Sequence, residues 1–96
     1  MEQITDHIAM MSIEEREEVF VNLARTLEWN AREAFVEGDE QFAVLSKNMA
    51  DAIRVHADEL ARQDPEHSGR AMAEATAIIS QFNATHPYRM VSAAIH

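Results

Sequence analysis

The chain of 96 residues contains no cysteine, two glycines and two prolines. Without cysteine it can form no disulfide framework, use no thiolate nucleophile and hold no zinc or iron–sulfur cluster through thiolates. With so little glycine it lacks phosphate-binding loops and the Gly-flanked serine elbow of hydrolases. These absences exclude the familiar catalytic motifs, so we expect a protein that is not an enzyme and that needs no cofactor.

Basic residues are also scarce, because 8 lysines and arginines face 17 acidic residues, for a formal net charge of −9. This charge repels nucleic-acid phosphates and disfavours direct binding to DNA or RNA. No run approaches the ~18 apolar residues of a membrane span, and the acidic N-terminal residues do not match a signal peptide. We therefore expect a cytoplasmic protein with no membrane segment.

What is present favours helices, since alanine and methionine are plentiful while β-branched and aromatic residues are few. Ser12 and Glu15 form a capping-box pattern, Gly38 suits a left-handed C-cap, and Pro65 suits a first helical position. The chain is therefore predicted to be a single all-α domain, 1–96, built as a small helical bundle. Its parts are a long antiparallel helical hairpin (about 13–37 and 40–63), a third helix (about 65–82) and a short C-terminal helix or tail.

Apolar residues recur at helical spacing in each segment and predict which faces are buried. In the first helix they are Ile13, Phe20, Leu23, Leu27, Ala31 and Ala34, with Ala24 and Phe35 on the flank. In the second they are Phe42, Leu45, Met49, Ala52, Ile53, His56 and Leu60. In the third they are Ala71, Met72, Ala75, Ile78, Ile79 and Phe82. Shorter patterns predict an N-terminal helix or arm and a C-terminal helix, marked by Ile4, Ile8 and Met11 and by Tyr88, Val91 and Ile95.

Charges of alternating sign line the other side of the second helix and indicate a solvated face. They are Lys47, Asp51, Arg54, Asp58 and Arg62. Within the apolar stripe, by contrast, His56 is expected to be buried, neutral and hydrogen-bonded, fixing the register of the hairpin. A pH-sensitive interface and a ligand or metal role for His56 are the alternatives.

A metal site is not expected, because the E-x-x-H pairs of carboxylate-bridged bundles are missing. Only His67 has an acid three residues before it. That acid, Asp64, directly precedes Pro65 and suits a helix cap better than a ligand.

The outer face of the first helix carries the candidate binding residues. Trp29 and Val36 stand opposite the core stripe, and a tryptophan beside two arginines has the composition of an interface hot spot. Three covers are possible for this face: the chain's own third helix or termini, a second copy, or a foreign protein. The candidate residues are Trp29, Val36, Arg25, Arg32, Glu33 and Asn22.

The leading hypothesis is a non-enzymatic helical interaction module, acting as an adaptor, regulator or inhibitor. It would dock a helix face on a protein partner or on itself, as a homodimer or other homo-oligomer. One alternative starts from the acids of the run 14–18 and predicts an inhibitor of the mobile-element or phage type, which imitates nucleic-acid phosphate and blocks a nucleic-acid-binding enzyme. The other is a small metal-dependent helical-bundle enzyme.

Overall fold

Three long helices make up the computed structural model, which describes residues 7–85. They are α1 (Ile13–Val36), α2 (Glu40–Arg62) and α3 (Pro65–Thr85), preceded by a helical turn at 7–9. The predicted all-α bundle with a long hairpin is confirmed. Helix α3 continues three residues beyond the predicted 82, and the predicted C-terminal helix lies outside the described residues.

Local hydrogen bonds fix the helix ends where the sequence places them. The Ser12 hydroxyl accepts from the Glu15 amide at 3.1 Å, and the Glu15 carboxylate accepts from the Ser12 amide at 2.8 Å. These bonds favour the ionised carboxylate and lower the pKa of Glu15. Gly38 has φ 88, a left-handed conformation that costs glycine little, and Asp39 then caps α2 by accepting from the Phe42 amide. The capping box and the tight turn are both confirmed.

Small side chains line α2 where it packs in the core. The buried residues of α2 are Phe42, Ala43, Ser46, Ala50, Ile53, Ala57 and Ala61. On α1 they are Phe20, Ala24, Leu27, Asn30, Ala31 and Ala34. Five of the seven α2 positions hold alanine or serine, which lets neighbouring helix backbones approach closely.

The predicted buried face of α2 is therefore partly wrong. Leu45, Ala52 and His56 are exposed, whereas Met49 and Leu60 are half-buried at the edge. The buried face is rotated by roughly one residue, because small side chains rather than the largest apolar ones pack in the core. On α1, Ile13 and Phe35 are likewise exposed instead of buried.

Helix α3 covers one side of the hairpin. Near its end Phe82 is fully buried and packs on Phe42, with ring centroids 5.2 Å apart. Earlier along the helix, Met72 and Ala75 join the main core. The predicted apolar stripe of α3 is buried or half-buried throughout, as expected.

The end of the hairpin away from Gly38 is tied by one arginine. The Arg16 guanidinium donates to the carbonyls of Ile8, Ala61 and Gln63 at 3.1, 3.3 and 3.2 Å. Ala61 lies in the last turn of α2 and Gln63 is its C-cap residue, and the last carbonyls of a helix have no helical donors. Arg16 thus joins the N-terminal turn, α1 and α2.

The alternating charges of α2 are exposed, as predicted, but they do not all pair along the helix. Lys47 binds Asp51 at 2.7 Å and Arg62 binds Asp58 at 3.1 Å. Arg54 instead forms a salt bridge with Glu28 on α1. None of the helices within 7–85 is long and apolar enough to cross a membrane.

Candidate protein-docking surface

Trp29 lies in the open on α1, with 55% of its surface exposed. At 100° per residue, the other candidates Asn22, Arg25, Arg32, Glu33 and Val36 fall within about 60° of it around the helix. All are exposed except Glu33, which is half-buried. The six candidate residues therefore lie on one outer face of α1. Helix α3 does not bury Trp29. Of the covers considered for this face, the chain's own third helix is therefore not the one.

The two arginines beside Trp29 differ from the other lysines and arginines in the described part of the chain. Lys47, Arg54, Arg62 and Arg70 each pair with an acid, and Arg16 binds backbone carbonyls. Arg25 and Arg32 make no hydrogen bond or ion pair with any residue in the range 7–85. In a chain of net charge −9, these two free cations mark a surface suited to acidic groups.

An apolar groove of about 900 Å³ adjoins this face, between the end of α1 and the start of α2. Its walls include Phe35, Val36 and Val44, whose exposed fractions are 68%, 83% and 59%. Ala31 and Ala43 form part of the lining. Large apolar side chains that cluster at a concave surface are typical of a docking site.

A salt bridge between the two helices borders the groove. Arg54 donates to both oxygens of Glu28, at 2.8 and 2.6 Å, in a bidentate pair. The guanidinium lowers the pKa of Glu28, and the carboxylate raises the pKa of Arg54. Arg32 lies near Glu28 and helps to lower that pKa, although Glu28 is already bound by Arg54. The rim of the groove is thus held in place while Arg32 stays available.

His56 does not belong to a buried polar switch, and that prediction is wrong. Its side chain is 54% exposed, with Nδ1 at 3.6 Å from a carboxylate oxygen of Glu59. The rotation of the buried face of α2 places Ala57 in the core and turns His56 outward. A register or pH-switch role that depends on burial of His56 therefore has no basis.

Over residues 7–85 no three histidine, aspartate or glutamate side chains come together to hold a metal ion. Asp64 caps α3, accepting from the His67 amide at 3.0 Å while its oxygens contact the His67 ring at 2.8 and 2.9 Å. These bonds, the backbone one foremost, lower the pKa of Asp64.

The groove residues Phe35 and Val44 were missed by sequence reasoning. Phe35 has the helical spacing of a flank residue, and its exposure depends on which side of the hairpin α3 covers. Val44 follows two buried residues, Phe42 and Ala43, and belongs to no apolar stripe of its own. A useful signal was that Phe35, Val36 and Val44 closely flank the Gly38 turn, which brings the ends of the two helices together.

Comparison with family models, with curated proteins and with solved structures finds no match to this chain.

Proposed function

We propose that the chain is a non-enzymatic helical interaction module that docks a protein through the outer face of α1. The exposure of Trp29 between two arginines that pair with no residue in the range 7–85 is the observation that carries this proposal. Burial of a large apolar side chain favours association by roughly 1.5–3 kcal/mol. Tryptophan and arginine are also the residue types that contribute most at interface hot spots.

The groove beside Trp29 supports the same function. Arg32 and Val36 border both the outer face and the groove, so one partner could cover both. The Trp29 indole and the Phe35 ring would provide apolar anchors, and the arginines would pair with acids at the edge. Protein interfaces commonly combine apolar anchors of this kind with polar side chains at the rim.

The phosphate-mimic alternative has less support. A decoy for a nucleic-acid-binding groove needs a continuous negative surface, and Arg25 and Arg32 interrupt the acids along α1. Ionic strength separates the two functions, because a decoy complex held by charge alone weakens more steeply with added salt than an interface that also buries Trp29.

The experiment compares complexes formed by the wild type, Trp29→Ala and Leu45→Ala. Leu45 is 46% exposed and lies on another face of the molecule, so it is a matched control. We expect Trp29→Ala to weaken self-association, or the complex with a purified partner, at least tenfold, and Leu45→Ala to leave it unchanged. Sedimentation velocity measures the effect. Equal affinity of the wild type and Trp29→Ala would reject the site.

A further inference from the structure

We propose that the occupant of the outer face of α1 is the same face of a second copy, packed antiparallel about a two-fold axis. This inference rests on the proposed function and names its partner. The surface concerned, the α1 stripe, runs along the helix for about six turns. Its residues are Glu14, Glu18, Asn22, Arg25, Trp29, Arg32 and Val36.

The stripe follows one side of α1 along its length. From Glu18 to Val36 the stripe residues follow one another at intervals of four, three, four, three and four. These intervals average about 3.6 residues, the repeat of an α-helix, so the stripe stays on one side of α1. All members of the stripe are exposed, so a second helix could lie along it without moving α2 or α3.

Charge along the stripe is divided between its two halves. Glu33 is half-buried at the edge of the C-terminal half and lies outside the stripe. The N-terminal half of the stripe carries Glu14 and Glu18, and the C-terminal half carries Arg25 and Arg32. Within the described chain none of the four makes a side-chain hydrogen bond or an ion pair. The two glutamates are also four residues apart on one face, a spacing at which like charges destabilise an isolated helix.

Antiparallel pairing would give the four unpaired charges partners and would offset the repulsion between the two glutamates. It sets the acidic half of one copy against the basic half of the other, twice over because a two-fold interface is self-complementary. Parallel pairing would set glutamates against glutamates and arginines against arginines. The charge pattern therefore specifies the direction of the second helix as well as its identity.

The same pattern specifies a register. With the two-fold axis near residue 23, Arg32 of one copy lies opposite Glu14 of the other. Arg25 then lies within one turn of Glu18 of the other copy. Asn22 falls beside the axis, where its amide can bond the same amide of the second copy. A polar residue at such a seam position fixes the register of paired helices.

The experiment uses two charge-reversed variants of the full chain, Glu14→Lys with Glu18→Lys and Arg25→Glu with Arg32→Glu. Each variant alone should lose self-association at least tenfold relative to the wild type in sedimentation equilibrium. An equimolar mixture should recover it as a heterodimer, since each acidic half again faces a basic one. The control, Glu59→Lys with Glu74→Lys, makes the same charge change as the first variant on exposed parts of α2 and α3 and should associate like the wild type.

Several results would overturn the inference. A wild type that sediments as a monomer at several hundred micromolar removes the second copy as occupant, although a Trp29-dependent complex with another purified protein would keep the proposed function. If both charge-reversed variants still associate but Trp29→Ala does not, the face is correct and the antiparallel register is rejected. If Trp29→Ala also leaves the self-association constant unchanged, this face is not the one through which the copies associate. Recovery on mixing also shows that each variant is folded, because a misfolded chain cannot regain a specific partner.

Discussion

At the scale of single residues, two buried serines show how differently one side chain can be used. Ser46 and Ser68 are both fully buried. The Ser68 hydroxyl donates to the Leu60 carbonyl at 2.5 Å and contacts the Gln63 carbonyl at 3.4 Å, so it caps the end of α2. The Ser46 hydroxyl has no hydrogen-bond partner within the described chain. A buried polar group without a partner destabilises the folded state.

Substitution of each serine by alanine should therefore have opposite effects. We expect Ser68→Ala to lower the free energy of unfolding by about 1–2 kcal/mol, because two carbonyls lose a donor. Ser46→Ala should raise the free energy of unfolding by about 1 kcal/mol, because the unbonded hydroxyl is removed. Urea unfolding followed by circular dichroism measures both. A loss of stability in Ser46→Ala as large as that in Ser68→Ala would contradict the prediction.

At the scale of elements, the hairpin depends on how closely α2 packs. Ala50 is fully buried there, whereas Ala52, two residues on, faces solvent. The two alanines lie two residues apart in the middle of the same helix. They therefore separate the effect of packing from that of helix propensity.

We expect Ala50→Leu to lower the free energy of unfolding by about 1–3 kcal/mol, because the added methylenes have no room beside α1. Ala52→Leu should change it by less than about 0.5 kcal/mol, since surface substitutions rarely do more. The thermal unfolding midpoints of the two variants and the wild type measure this difference. Equal tolerance of leucine at the two positions would show that the core face of α2 is not tightly packed.

Sequence reasoning succeeded for helix ends and failed for helix rotation, for a physical reason. The ends depend on local groups such as Ser12, Asp39 and Gly38, whose hydrogen bonds and backbone preference are readable within four residues. The rotation of a helix about its own axis depends on which other helix packs against each of its faces. Ala57 and His56 are adjacent in sequence, and only the close approach of the helices decides that alanine is inside. The outer position of Trp29 was predictable because it lies opposite the apolar stripe of α1, whereas the groove needed the position of α3.

At the scale of the whole molecule, three carboxyl groups connect the fold to pH. The pKa values of Glu15, Glu28 and Asp64 are lowered by the Ser12 amide, by the Arg54 guanidinium and by the His67 amide. A group whose pKa is lower in the folded than in the unfolded chain stabilises the fold above its unfolded pKa. That contribution is lost as the pH falls through the folded pKa.

The free energy of unfolding should therefore decrease as the pH falls from 5 to 3, a window set by ordinary carboxyl pKa values of about 4. Glu28→Gln should flatten this decrease, because glutamine cannot lose a charge that Arg54 stabilises. Glu74→Gln is the matched control, since Glu74 is exposed on α3 with no ion pair among residues 7–85. Urea midpoints at each pH provide the measurement. The same acid sensitivity in both variants would show that the Glu28 pair contributes nothing.

The alanines on the buried face of α2 have a consequence for the entropy of folding. An alanine side chain has no rotamers to lose on burial, whereas a leucine loses roughly 0.5–1 kcal/mol of conformational freedom. At Ala43, Ala50, Ala57 and Ala61 the hairpin therefore orders its backbone without freezing side chains. These four side chains cannot repack into alternative rotamers. The hairpin would therefore present the α1 stripe on a backbone that is already ordered, so that binding has to order the exposed side chains alone.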